Sequence, residues 1–185
     1  MPRMRAELLE RYQALPLPTK SDEHWRFTDL AGFDPDSYPH TSVARLKPGN
    51  EAAPAALLEI DASGVATVGE AGITIERAPD GIRFELLTDD HPLLGTLVGH
   101  SEKFAAHNAA MWEHGLLVQV PKGVVVEKPI YIRIANAVEG GSLFWRLLIV
   151  AEAQSRFTVI EEYVSAAAPK SARSAYPSSR SARPK

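Results

Sequence analysis

The sequence contains no cysteine among its 185 residues. This absence excludes disulfides, thiolate zinc sites and a thiolate-ligated iron-sulfur cluster within the chain itself. No apolar run approaches the roughly 20 residues that a membrane helix needs, and the N-terminus lacks the uninterrupted apolar segment of a signal peptide. Because 45% of the residues are hydrophobic, the chain is globular in class. The cytoplasm is its expected location.

Charge is distributed unevenly. Residues 165–185 contain no acidic residue, while the rest of the chain holds all 23 acidic residues and only 15 of the 20 Lys and Arg residues. An acidic body gives no electrostatic reason to expect nucleic-acid binding. The basic residues of the tail are Lys170, Arg173, Arg180, Arg183 and Lys185.

The tail is also poor in apolar side chains. Its Ser, Ala, Arg and Pro composition cannot bury enough apolar area to order itself, so residues 165–185 are predicted to be disordered. It is either a basic arm for an anionic partner or the product of a reading frame lost near Ser165. The second interpretation is favoured, because a strand-rich segment ends there in mid-pattern without a cap.

No motif predicts catalysis. The chain lacks a Gly-x-x-x-x-Gly-Lys-Ser/Thr phosphate loop and a Gly-x-Ser-x-Gly elbow. His100, His107 and His114 are spaced by seven residues, a helical rise of about 10.5 Å, whereas two His ligands of one ion on a helix lie three or four residues apart. We therefore predict no catalytic, cofactor-binding or metal-binding residues, and no enzyme activity.

Other polar residues have structural interpretations. Asp89 and Asp90 are expected to cap a helix, and neighbours in a strand such as Glu161 and Glu162 point to opposite faces. Lys122 is interpreted as a solvated turn residue. His24, beside Trp25, is interpreted as a packing or turn residue.

The spacing of apolar residues near the N-terminus predicts a helix. A helix face begins after Pro2 and ends before Pro16 and Pro18. Its apolar positions recur at intervals of four, four and three, at Met4, Leu8, Tyr12 and Leu15.

A second short helix or turn is predicted after Pro18. Thr19 and Ser21 are candidate N-caps. The turn is expected to present an apolar set of Trp25, Phe27 and Leu30. Residues 32–56 contain four prolines and predict an irregular connector.

The period changes to two from Leu57. Residues 57–88 predict a small antiparallel sheet with a hairpin at Pro79-Asp80-Gly81. Helical spacing then returns, first with an apolar face at Leu93, Leu94, Leu97 and Val98. A further helical segment is expected to be capped by Ser101 and stopped by Gly115; its face comprises Phe104, Asn108, Met111 and Trp112.

Strand character persists from Leu116 to about Val164. The predicted strand residues are Val118, Val120, Ile130, Ile132, Ile134, Leu148, Val150, Val159 and Ile160. Their spacing suits coils of a parallel β-helix, with a hairpin-linked β-sandwich as the alternative. The β-helix is favoured because hairpin dipeptides such as Asn-Gly are missing here.

Three ordered blocks resemble the SufB/SufD family of iron-sulfur cluster assembly proteins. The first is residues 17–30, LPTKSDEHWRFTDL, which is similar to an N-terminal signature in that family; its Leu-Pro-Thr opening favours the SufD branch. The second is residues 108–130, NAAMWEHGLLVQVPKGVVVEKPI. The third is residues 146–163, RLLIVAEAQSRFTVIEEY.

The resemblance covers about residues 8–164 and implies an architecture. We expect an α+β N-terminal domain over residues 1–115, the first coils of a right-handed parallel β-helix over 116–164, and the disordered basic tail over 165–185. Family members run to about twice this length or more. The chain is therefore interpreted as a truncated or frame-damaged fragment.

The resemblance also implies a function. SufD is expected to pair with SufB, while the ATPase SufC binds the C-terminal region that this chain lacks. The family complex handles an iron-sulfur cluster and uses ATP through SufC. No family site residue falls on this sequence. The expected role is a cytoplasmic scaffold component, and any remaining partner binding is expected from the N-terminal domain.

Three alternatives stay open. A left-handed β-helix acyltransferase would show a strict six-residue period, which residues 116–164 lack. A free-standing module would bind an anionic partner through its basic tail, with binding that weakens steeply in salt. The third alternative is a non-functional truncated product.

Overall fold

The structure is a computed structural model that describes residues 2–38, 40, 55–138 and 140–165. Over those residues the chain is α+β, with two α-helices and two sheets of mixed strand direction. In chain order the elements are α1 (Pro2–Ala14), β1 (Gly64–Gly69), β2 (Gly72–Arg77), β3 (Arg83–Leu86), α2 (Lys103–Met111), β4 (His114–Val120), β5 (Ile130–Asn136), β6 (Trp145–Ala151) and β7 (Val159–Ser165).

The predicted N-terminal helix is confirmed as α1, which ends just before Pro16 and packs against α2. Tyr12 anchors the contact: its side chain is buried, and its ring stacks on His107 with centroids 3.9 Å apart. Its hydroxyl donates a hydrogen bond of 2.6 Å to Asp36. Leu8 and Leu15 are partly buried, whereas the side chain of Met4 lies outside the described set.

The segment after α1 differs from the prediction. A single 3-10 turn spans Glu23–Trp25, and its N-cap position is Asp22 without a side-chain cap. Thr19 instead donates through its backbone N–H and its hydroxyl to Asp22. Trp25 packs on Phe104 at 5.2 Å, but Phe27 is 88% exposed, so the expected apolar face is wrong at that position. Of the predicted connector 32–56, residues 39 and 41–54 lie outside the described residues.

The hairpin was predicted at the wrong place. β1 and β2 form an antiparallel hairpin through Glu70 and Ala71. The turn at Pro79-Asp80-Gly81 instead carries the chain to the other sheet, where β3 pairs with β4. Phe84 of β3 becomes buried there, which explains why pairing with a distant strand is preferred over a local hairpin.

The predicted helix at residues 93–98 is also wrong. This segment is a series of turns, and Leu97 and Val98 are 77% and 66% exposed. Pro92 lacks a backbone donor, and Gly95 adopts a positive φ of 75°, so the local backbone favours turns over a helix.

The second predicted helix exists, but its ends differ. α2 begins after Glu102, which occupies the N-cap position instead of Ser101. It ends at Met111 because Trp112 is already extended, and Gly115 lies inside β4. Gly115 serves close packing: a Cβ there would lie 2.9 Å from Cβ of Leu87 and 3.0 Å from the Trp112 ring.

Strands β4 to β7 alternate between the two sheets. β4 pairs in parallel with β6, starting with His114 opposite Trp145, 31 positions later. β5 pairs in parallel with β7, starting with Ile130 opposite Val159, 29 positions later. The predicted strands are therefore confirmed, and their parallel pairing is what successive coils predict; hairpins would have paired them antiparallel. One sheet has the order β2-β1-β5-β7 and the other β3-β4-β6.

The main core lies between the inner faces of the sheets. It combines Ala66, Val68, Ile130, Ile132 and Ile134 with Phe84, Leu116, Val118 and Val120. A smaller cluster on the outer side of β4 consists of Leu87, Trp112, Leu117 and Leu148.

The core joins both predicted domains. β1 pairs with β5, and β3 pairs with β4, so strands from both sides of residue 115 share each sheet. The division into separate domains at residue 115 stays a prediction. The predicted tail lies outside the described residues except for Ser165, the last residue of β7.

Candidate partner-binding surface

The inner face of the sheets continues onto β6 and β7, where it becomes exposed. Val118 pairs with Ile149, and both project from the same face because parallel neighbours share their orientation. Val118 is fully buried, whereas Ile149 is 38% exposed. On the other sheet Ile134 is buried, and its partner Tyr163 is 65% exposed. The inner-face residues Ile149, Glu161 and Tyr163 are hereafter the open row.

Glu161 gives the open row a charge. Its register partner is the fully buried Ile132, so its carboxylate stands on the inner face. The hydroxyl of Tyr163 donates a hydrogen bond of 2.6 Å to it. A charge that points inward at a sheet edge opposes indiscriminate strand pairing. The open row therefore combines two large exposed side chains with one carboxylate.

An apolar groove with a volume of about 530 Å³ adjoins the open row at Tyr163. Aromatic contacts organise it: the Phe33 ring lies 5.8 Å from Tyr38 and 6.2 Å from Phe104. The ring of Phe144 lies 4.6 Å from His107, which carries the groove across to the strands. The groove thus joins N-terminal side chains to the strand end.

The three histidines occupy different surroundings. His107 stacks on Tyr12, and burial lowers the pKa of its imidazole, so it is neutral at physiological pH. His114 opens β4 beside Gly72. His100 lies against a second cavity, where its backbone carbonyl accepts from Arg11. Within the described ranges, no three His, Asp or Glu side chains are arranged to hold a metal ion.

Glu161 and Glu162 point to opposite faces, as predicted. Glu162 is buried on the outer face, where it accepts a hydrogen bond of 2.5 Å from the hydroxyl of Tyr131. It also accepts the backbone N–H of Leu57 at 3.1 Å, which ties the segment before β1 to the sheet. Burial and this hydrogen bond raise the pKa of Tyr131 to about 12. Glu162 therefore has a structural role: it joins the segment before β1 to Tyr131 of β5.

Removing the Tyr131 hydroxyl is expected to destabilise the protein at Glu162. Tyr131→Phe leaves the buried Glu162 with one donor fewer, at a cost of about 1–3 kcal/mol in the free energy of unfolding. Tyr131 loses its proton near pH 10 in the unfolded chain and near pH 12 in the folded chain. The stabilisation is therefore complete below about pH 10 and is lost as the pH rises toward 12. Because the pKa values of Tyr12 and Tyr163 are raised as well, urea unfolding of the native chain is compared with that of Tyr131→Phe at pH 7 and along that alkaline range.

Tyr163→Phe is the matched control. It removes the same hydroxyl-to-glutamate bond at an exposed position, where the expected cost is below about 0.5 kcal/mol. An equal cost for the two variants would show that burial of Glu162 does not matter.

The remaining polar candidates have structural contacts. Asp89 forms an ion pair of 3.3 Å with Arg5, and Asp90 accepts from the hydroxyl of Thr88. Neither caps a helix, which corrects the prediction. Lys122 lies exposed in the turn before Gly123, where its backbone N–H donates to Glu152, and His24 is exposed in the 3-10 turn.

Comparison with known proteins points in one direction. No protein-family model matches the chain. The chain is similar to the iron-sulfur cluster assembly protein SufD of Bacillus subtilis strain 168, with 27% identity over an alignment of 190 residues. The alignment includes 91% of this chain and 42% of that protein. The chain therefore spans less than half the length of the curated relative, and the similarity suggests a SufD-like relationship.

Within the described part of the chain, no helix is long and apolar enough to cross a membrane. The sequence did not predict the open row or the groove, because the exposure of a strand residue depends on which other strands lie against it. A partial signal existed: Glu161 interrupts an inner-face alternation of apolar residues.

Proposed function

We propose that this chain is a SufD-like scaffold component of an iron-sulfur cluster assembly system, acting through protein contacts and without catalysis of its own. The observation that carries the proposal is the similarity to SufD along 91% of the chain. The three motif blocks that resemble the SufB/SufD family lie in the same order in this sequence. Two of them coincide with β4 and with β6 and β7.

The proposal includes a right-handed parallel β-helix. Strands β4 and β5 would form one coil and β6 and β7 the next, since the pairings join residues about 30 positions apart in both sheets. Parallel crossover connections within a sheet are right-handed in nearly all proteins, which supports that hand. The exposed open row is where a further coil or a partner's strand would stack.

The expected partners are SufB and SufC in the cytoplasm, with the iron-sulfur cluster as cargo and ATP used by SufC. The open row and the adjoining groove would provide the contact surface for SufB, because they combine apolar area with the unpaired edges of β6 and β7. In the family, the SufC-binding region lies outside the part that this chain resembles. SufC is therefore expected to join through SufB.

Affinity capture tests the proposal. The tagged 185-residue chain, co-expressed with SufB and SufC, is expected to retain SufB, and to retain SufC only when SufB is present. Ile149→Asp adds a charge to the open row and is expected to reduce SufB recovery about tenfold, since an unpaired charge would be buried on docking.

Phe27→Ala is the control for capture. It removes a large, exposed side chain away from the strand edge, so SufB recovery is expected to be unchanged. Failure of the native chain to retain either partner would reject the proposed function. Equal recovery with Ile149→Asp would keep the function but move the contact to another surface.

A further inference from the structure

The ring of His107 contacts two other rings beside the groove. It stacks on Tyr12 of α1, with centroids 3.9 Å apart and the ring planes inclined by 16°. The ring of Phe144, directly before β6, lies 4.6 Å from it and is inclined by 55°. His107 therefore joins three parts of the chain, namely α1, α2 and the segment before β6.

Tyr12 connects this ring contact to one wall of the groove. Its hydroxyl donates a hydrogen bond of 2.6 Å to Asp36, which lies in the 3-10 turn Pro35–Ser37. Pro35 and Tyr38, on either side of Asp36, line the groove together with His107. A change in the stacking of Tyr12 is therefore transmitted to the groove.

Lys103 approaches the same tyrosine. It precedes His107 by one turn of α2, and its Nζ lies 3.9 Å from the centroid of the Tyr12 ring. The ammonium also donates a hydrogen bond of 2.8 Å to the backbone carbonyl of Tyr12. Lys103 thus already supplies the positive charge that an aromatic ring and the last turn of α1 attract. A second cation at position 107 would be repelled, as like charges four residues apart on a helix are.

The other charges that act on His107 do not remove this conflict. Asp36 favours a protonated imidazole, but its Oδ1 already accepts the hydroxyl of Tyr12. Lys103 and His40 oppose protonation. Burial acts in the same direction and has the largest effect, so the pKa of His107 lies below its ordinary value of 6.5.

Two further carboxylates act on the neighbours of His107. Oε1 of Glu113 lies 4.0 Å from Nδ1 of His40. Asp34 acts on Tyr12, where burial and the hydrogen bond to Asp36 raise the pKa of the hydroxyl. Tyr12 therefore stays uncharged through the acid range, and His107 is the group in the stack that changes charge.

We propose that His107 makes the contact between α1 and α2 sensitive to acid: when its imidazole gains a proton, Tyr12 leaves the stack and the groove wall at Pro35 is released. The closed form holds the neutral ring, whereas the released form accepts the proton readily. The closed form is therefore fully stable above about pH 6.5, where a solvated imidazole is neutral. Its stability is lost as the pH falls from there through the lower pKa of the closed form.

Nuclear magnetic resonance of the full chain between about pH 7.5 and 5 tests the proposal, because a histidine titrates in that range. The Hε1 signal of His107 is expected to titrate below pH 6.5. Hydrogen-exchange protection of the α1 amides is expected to fall with it. The fall is up to about tenfold for each pH unit that separates the titration of His107 in the closed form from that in the released form.

Variants assign the effect to His107. His107→Phe keeps a flat ring that takes no proton, so the acid loss of α1 protection is expected to disappear. Lys103→Gln removes the neighbouring charge and retains a hydrogen-bond donor. It is expected to raise the pKa of His107 and to reduce the acid loss, which keeps the test decisive if His107→Phe does not fold. His24→Gln removes an exposed histidine from the 3-10 turn Glu23–Trp25 and is expected to behave like the native chain.

Three results would overturn the proposal. Titration of His107 at or above pH 6.5 in the native chain would mean that the stack accepts an imidazolium. An unchanged acid loss in a folded His107→Phe variant would assign the effect to another group. An unchanged titration of His107 in Lys103→Gln would show that the two side chains do not oppose each other. None of these measurements uses SufB, so the proposed function is tested independently.

Discussion

Replacing Trp112 with alanine is expected to lower the free energy of unfolding by about 3–5 kcal/mol. Trp112 is buried in the cluster on the outer side of β4, against Leu87 and Leu117. Two arginines also approach its ring: the guanidinium of Arg146 lies 5.2 Å from the centroid and that of Arg5 lies 6.0 Å away. Alanine would leave a cavity and remove both cation-π contacts. Urea unfolding followed by circular dichroism measures the loss.

The control for Trp112 is again Phe27→Ala. It truncates another large aromatic side chain, but one that is 88% exposed, so we expect a change within about 0.5 kcal/mol. A Trp112→Ala variant as stable as Phe27→Ala would mean that the smaller cluster does not hold α2 to the sheet.

Ile132→Ala is expected to cost about 2–5 kcal/mol. Ile132 lies in the middle of β5 with no exposed area, between β1 and β7 and facing the inner residues of the second sheet. The two flanking backbones are fixed by parallel pairing, so the site has little freedom to collapse around a smaller side chain. The midpoint and slope of a urea titration separate a loss of stability from a change in the unfolded state.

Ile149→Ala is the informative comparison, since it makes the same chemical change on the same inner face. Ile149 belongs to the open row, and its truncation is expected to cost less than about 1 kcal/mol. A cost equal to that of Ile132→Ala would show that the open row is covered in solution. That result would contradict the proposed contact surface for SufB.

Strand positions were predictable because a strand that buries one face in the core has an alternating pattern of apolar residues. Ile130, Ile132 and Ile134 alternate with outward residues, and the structure places all three in the core. The sequence also favoured parallel pairing of β4 to β7, because Asn-Gly dipeptides are missing there, but it left a hairpin-linked β-sandwich open. The helix at the N-terminus was predictable for the same reason: one apolar stripe and flanking prolines.

Errors arose where a local pattern competed with a distant partner. Residues 93–98 have helical spacing, yet Pro92 and Gly95 favour turns, and Leu97 is 77% exposed. The turn at Pro79-Asp80-Gly81 is local, but the destination of β3 depends on β4, more than 30 residues later. Gly115 was interpreted as a helix stop, whereas its role is to let Leu87 and Trp112 approach β4.

The functional surfaces follow the same division. Resemblance of three sequence blocks indicated the SufB/SufD family, and the similarity to SufD supports that interpretation. The sequence did not indicate the contacts of Arg146 with Asn108 and Trp112, because a lone arginine in a strand has no local signature. Its surroundings are formed by α1, by Trp112 and by the turn that holds Asp89, which come together only in the folded chain.

By itself, the sequence determined the strand and helix segments that carry strong periodicity, the absence of thiolate chemistry, and the resemblance to a family. The tertiary structure decided how β1 and β3 join the two sheets and which inner-face residues stay exposed on β6 and β7. The physical reason is distance along the sequence. Periodicity shows which side chains are buried, and it can be recognised from neighbouring residues alone. Exposure of an edge and compensation of a charge depend on residues far apart in the chain, and only the fold brings those together.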